Sequence, residues 1–136
     1  MQQHTLFLEP LPPKEAQLKN PLSLAFVGDT VWDLLVRGRL LQSAAKVNAL
    51  HRQAIAQVNA GAQARAYERV EPHLSPEEAA VARRGINAHA RHATPKNQDP
   101  VAYSRATGLE ALLGYLYLTG QTARILQLFD IALEIP

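Results

Sequence analysis

Between Asn20 and Leu41 apolar residues return at the three- and four-residue spacing of a helix, in the run NPLSLAFVGDTVWDLLVRGRLL. Asn20 is a residue type that caps helices, and Pro21 suits a first helical position, where a missing N–H costs nothing. This segment commits the chain to a long helix with one face in a core. The same helix carries Asp29 in the middle of its apolar run. Burying even a neutral polar group without a partner costs roughly 2–7 kcal/mol, so the aspartate needs a physical reason to be there.

The remaining chain follows the same period. Ala44 to Ala60 and Ala62 to about Glu71 predict two further helices, broken near Gly61. Ser75-Pro76-Glu77-Glu78 has the pattern of a capping box and opens a helix to Gly85 or Asn87. After the loop HARHATPKNQDP, Asp99-Pro100 caps a long helix through Leu118 that ends at Gly120, and Gln121 to Glu134 forms a last amphipathic helix. No segment alternates with period two, and valine and isoleucine are scattered, so the fold class is all-α with six or seven helices. Residues 1–20 hold three of the nine prolines, Pro10, Pro12 and Pro13, with Pro21 directly after them, and read as an irregular or extended arm. Residues 21–136 form the domain. At 136 residues this is one core's worth of chain.

Composition narrows the function classes. Apolar residues at 47% and charged residues at 19% suit an ordered globular protein. There is no uninterrupted apolar run long enough to span a bilayer and no signal-peptide pattern at the N-terminus, which makes the cytoplasm the expected compartment and a membrane partner unexpected. The absence of cysteine excludes disulfides and thiolate metal sites. The net charge of +2 is small but unevenly placed. Arg83, Arg84, Arg91, Lys96 and Arg105 face a single acid, Asp99, while beyond Ala106 only Arg124 faces Glu110, Asp130 and Glu134. Such a basic segment is either a track for a polyanion or a solvated face.

Two acids lie inside apolar helical patterns, Asp29 and Glu110. Their neighbours at three and four positions are mainly apolar or small, which predicts partial burial of both. Each either pairs within the core or, together, the two hold a divalent cation, as facing helices do in bundles. Asp33, four residues after Asp29, points to the same side and is either a support for that site or a plain solvent-side acid. Divalent-cation chemistry on phosphodiesters would need only carboxylates from the protein. His89 and His92 lack the companions of a zinc site, and neither a nucleotide-binding glycine loop nor a serine-nucleophile elbow occurs.

Two stretches, LAFVGDTVWDLLVRGRLL and ATGLEALLGYLYLTG, resemble the signature helix and the second acidic helix of the ribonuclease III fold. Between them RRGINAHARHATPKNQDPVAY resembles the loop of the family's Mini-ribonuclease III branch. The likeness runs from about Pro21 to Gly120. It implies a homodimeric, metal-dependent endoribonuclease acting on double-stranded RNA without a separate RNA-binding domain. In that branch the best-known substrate class is the base-paired stem of large-subunit (23S) ribosomal RNA precursor, with a large-subunit ribosomal protein as a further partner. By the same resemblance Asp29 and Glu110 are the metal-binding and catalytic acids, Mg2+ the cofactor and Mn2+ its substitute. Arg83, Arg84, Asn87, Lys96 and Asn97 would grip the RNA backbone, and Asp33 and Thr107 would stand behind the acids.

Several positions depart from the full-length enzymes. Ala25 and Leu22 stand where those carry further glutamates, and Thr107 stands where they carry an aspartate. Ala25 and Thr107 suit the Mini branch. Ile86 replaces a frequent arginine, and Arg105 sits one place later than the arginine expected after the tyrosine. Two rivals stay open at this point: a non-catalytic RNA-binding or ribosome-associated module on the same fold, and a helical protein-interaction domain.

Overall fold

The computed structural model describes residues 8–42, 46–89 and 96–134. Within them the chain forms α1 (Pro13–Gln17), α2 (Pro21–Leu40), α3 (Val47–Val58), α4 (Ala60–Val70), one 3-10 turn (Glu71–His73), α5 (Pro76–His89), α6 (Pro100–Leu118) and α7 (Thr122–Ala132). No strand occurs among the described residues, as the absence of period-two patterning predicts.

Helix α6 is the axis of the domain. From Ala106 to Leu116 every residue except the half-buried Glu110 is buried, and α2, α4, α5 and α7 pack around it. A helix that is apolar on all sides belongs at the centre. Helix α2 offers it Leu24, Ala25, Gly28, Trp32 and Val36 on one face. Trp32 then ties three elements together: its ring meets Phe129 of α7 edge to face at 5.5 Å, and its Nε1 donates to the Gln57 carbonyl of α3 at 2.9 Å.

Helix starts follow their caps. Asn20 Oδ1 accepts from the Leu22 N–H at 2.8 Å, and Asp99 Oδ1 accepts from Val101 at 3.1 Å. The capping box forms in full, with Ser75 N–H donating to Glu78 Oε1 at 2.8 Å and Glu78 N–H donating to Ser75 Oγ at 3.2 Å. Gly120, at φ 73°, takes the left-handed turn that closes α6.

Some expectations need correction. The break between the second and third predicted helices falls at Asn59, not Gly61, which lies inside α4. Asn59 caps both helices: its Oδ1 accepts from Ala62 N–H, and its Nδ2 donates to the Ile55 and Ala56 carbonyls. The amide satisfies backbone groups on both sides of the kink, which glycine cannot do. The proline-rich arm is not wholly irregular either, because Pro13 opens the short α1 from a position where proline is tolerated. Its Ala16 is fully buried, and Leu11 N–H donates to the Leu118 carbonyl at 2.8 Å. Helix α5 runs on to His89. The expected helix start at Ala44, and residues 90–95 of the basic loop with Arg91 and His92, lie outside the described residues, as does the side chain of His89. Among the described residues no helix is long and apolar enough to cross a membrane.

Candidate active site

The carboxylates are brought together by a close crossing of α2 and α6. A Cβ on Gly28 would lie 1.6 Å from the Glu110 carbonyl oxygen, and one on Gly114 would lie 1.9 Å from the Leu24 carbonyl oxygen. Only hydrogen fits at either place. The two backbones therefore touch, and Asp29, next to Gly28, comes up beside Glu110. Helix α5 closes on the other side of α6 through Gly85 and Gly108, where added Cβ atoms would come within 2.9 Å of Ala111 Cβ and 2.6 Å of Ile86 Cγ1.

Glu110 is half-buried, and its acidity records its surroundings. Burial pushes its carboxyl up to about 9, and the hydrogen bond and negative charge of Asp29 push in the same direction, while a hydrogen bond from Gln63 pulls it down. The protonated Glu110 carboxyl can donate to Asp29, and that hydrogen bond adds to the effect of burial. Gln63 Nε2 donates to Glu110 Oε2 at 3.5 Å, a long contact from a buried side chain of α4. The partial burial expected of Asp29 is not found; it is exposed in the single chain, beside Phe26, which is 81% exposed. Asp29 lies at the rim of the buried face of α2, and no described segment covers that rim. Among the described residues no three acidic, histidine or cysteine side chains cluster as a metal site, so the candidate site rests on two carboxylates and an amide.

The Ribonuclease III domain family matches residues 22–121, which span both carboxylates. The Mini-ribonuclease 3 of Desulfitobacterium hafniense is 47% identical over 119 residues, covering 87% of this chain and 74% of that protein. That of Symbiobacterium thermophilum is 44% identical over 115 residues, covering 84% and 88%. The crystal structure of a protein from Fusobacterium nucleatum superposes with a TM-score of 0.77 at 30% identity, over 86% of this chain and 93% of that one. The chain belongs to the ribonuclease III family. Within the family it is an endoribonuclease of the Mini-ribonuclease III branch.

The other residues picked out by likeness to this family fall into different settings. Thr107, buried one turn before Glu110, donates its hydroxyl to the Tyr103 carbonyl at 2.9 Å. Asp33 accepts from Arg37 Nε at 2.8 Å, one helical turn further along α2. Arg83, Asn87, Lys96 and Asn97 are exposed, and Asn97 holds a left-handed backbone at φ 70° in the turn before α6. Arg84 reaches back to the arm instead, donating to the carbonyls of Gln17 and Lys19. Arg105 pairs with Glu68 of α4. Gln63 is the site residue that sequence reasoning missed. Its signal was present: a lone amide on the α4 stripe formed with Ala64, Ala66, Tyr67 and Val70.

Proposed function

We propose that this ribonuclease III family member hydrolyses double-stranded RNA at Asp29 and Glu110, with Mg2+ as cofactor and Mn2+ as a substitute. The contact between Asp29 and Glu110 carries the reading. Oxygen donors of this hardness suit such cations, and the proton that Glu110 holds beside Asp29 is one that a bound cation would displace. When bound, a divalent cation supplies the Lewis acidity that activates water and stabilises charge on the phosphodiester.

The chain's own groups have separable tasks. Asp29 and Glu110 would hold the cation, Glu110 giving up its proton, and Gln63 steadies Glu110 through its amide. Thr107 keeps the turn below Glu110 neutral, and Asp33 supports α2 through Arg37. Exposed Arg83, Asn87, Lys96 and Asn97 take the RNA backbone, with Arg84 fixing the arm beside them. A duplex is read by shape and phosphate contact across its minor groove.

The reading includes a homodimer. Phe26 at 81% exposure and Leu34 at 60% lie along α2 near Asp29, apolar area that a second copy would remove from water. Two-fold symmetry presents one acidic site to each strand of a duplex. The natural target in this reading is the base-paired stem of large-subunit (23S) ribosomal RNA precursor in the cytoplasm, alone or shaped by a large-subunit ribosomal protein.

Incubation with an RNA duplex, with and without Mg2+, tests the activity. Cutting that needs the cation and vanishes in Asp29→Asn and Glu110→Gln is the expected result. Binding without cutting by the native chain would overturn it in favour of the non-catalytic module. Comparing a precursor stem with an unrelated duplex, each with and without the ribosomal protein, tests the substrate.

A further inference from the structure

A cavity of about 390 Å³ opens between α2, α3, α4 and the end of α7, and its walls carry Arg39, Arg65 and Arg69 above Trp32 and Gln57. Arg69 donates to the Ala132 carbonyl at 2.8 Å and pairs with Glu134 at 3.3 Å. The side chains of Arg39 and Arg65 are exposed and their guanidiniums make no hydrogen bond or ion pair with any described residue. The carbonyls that would compete for them at the two helix ends are occupied, that of Gln57 by Trp32 and that of Ala132 by Arg69. Three guanidiniums thus face one carboxylate around a concave space.

We infer that this pocket holds a backbone phosphate of the RNA, away from the scissile position. The inference rests on the endonuclease reading and extends it to residues that the family resemblance did not single out. Planar guanidiniums with free donors match phosphate oxygens in pairs. The pocket is built on the helices that carry the acidic site: Trp32 follows Asp29 by one turn of α2, and Ala62 adjoins Gln63 on α4. At 1.5 Å per residue, Arg39 lies about 15 Å along α2 from Asp29, a few nucleotides of one strand. Arg65 also lines a second cavity with Gln98, Asp99 and Arg105, next to the turn of Lys96 and Asn97. Arg65 therefore lies between the Arg39 pocket and the turn of Lys96 and Asn97, while Arg105 in the second cavity is taken up by Glu68.

Trp32 is the sole tryptophan of the chain, so its emission reports on the pocket wall. The native chain, titrated with a short RNA duplex in chelator so that nothing is cut, is expected to show a change in Trp32 emission. Arg39→Gln with Arg65→Gln should weaken binding and lower the salt slope by about one for each phosphate no longer held. Arg52→Gln, on the exposed face of α3 outside the pocket, should leave both unchanged. Unchanged affinity and slope in the double variant, with its thermal transition intact, would overturn the inference. A Trp32 response to inorganic phosphate and none to duplex would overturn it too, making the pocket a free-anion site. A native chain that binds duplex with the Trp32 response but never cuts it with Mg2+ would sink the endonuclease reading and leave the pocket standing.

Discussion

Gly28 of α2 sits directly against the backbone of Glu110 in α6, so close that a methyl group on Gly28 would fall 1.6 Å from the Glu110 carbonyl oxygen. The glycine before the aspartate is therefore a condition for the two carboxylates to meet. Gly28→Ala is expected to destabilise the fold by at least the roughly 1–3 kcal/mol of an overpacked core, because both obstacles are backbone. Denaturant unfolding measures this, and a variant as stable as the native chain would show that the helices do not cross this tightly.

The proton that Glu110 holds makes the metal-free fold sensitive to base. Glu110 titrates near 4.5 ordinarily and at about 9 when folded, so between these values the folded state holds more protons than the unfolded one. Stability is then full below about 4.5 and falls as pH rises towards 9. Thermal unfolding in chelator should show a lower Tm at pH 9 than at pH 6, and Glu110→Gln should flatten that difference. Added Mg2+ should raise Tm more at the higher pH, where a proton competes less for Glu110.

Glu78 and Arg124 give the opposite pH response. Burial alone would raise the Glu78 carboxyl, but bonds from Arg124 and Ser75 outweigh it and hold the group below its ordinary value of 4.5. Arg124 Nε and Nη2 each meet a Glu78 oxygen at 2.9 Å, tying α5 to α7. A depressed carboxylate stabilises above its unfolded pKa and loses that contribution as pH falls through the folded value. Glu78→Ala is expected to cost about 1–3 kcal/mol at pH 7, since it removes a cap and leaves Arg124 only the His73 carbonyl and Gln127 as partners. The cost should shrink in denaturant titrations taken below pH 4.

Arg84 and Lys96 should separate in a binding experiment although both lie in the basic segment. Arg84 is engaged by the carbonyls of Gln17 and Lys19, whereas Lys96 is exposed in the turn before α6. Lys96→Ala should lower the salt slope of duplex binding by about one. Arg84→Ala should instead speed amide exchange through residues 13–19. A salt slope lowered equally by both would place Arg84 on the RNA as well.

Legibility differed from residue to residue in ways that follow from range. Asn20, Ser75 with Glu78, and Asp99 were readable as caps, because each acts on a backbone group two or three residues away. Gly61 misled: a glycine marks freedom to bend, while Asn59 supplies the hydrogen bonds that make a bend stable. Asp29 and Glu110 stood out as charges in apolar runs, yet only one became half-buried. Helical periodicity says which residues share a face but not where the covering helix stops.

By itself the sequence determined the helical class, most of the helix starts and the two acids that stand inside apolar runs, since period, capping and residue type are local properties. Tertiary structure decided the rest. It brought Gln63 to Glu110 across 47 residues and sent Arg84 to the arm across 67. It also gathered Arg39, Arg65 and Arg69 from two helices around one cavity. Those meetings depend on how closely α2, α4 and α6 can approach, and that is set by backbone contact at Gly28 and Gly114 rather than by any pattern along the chain.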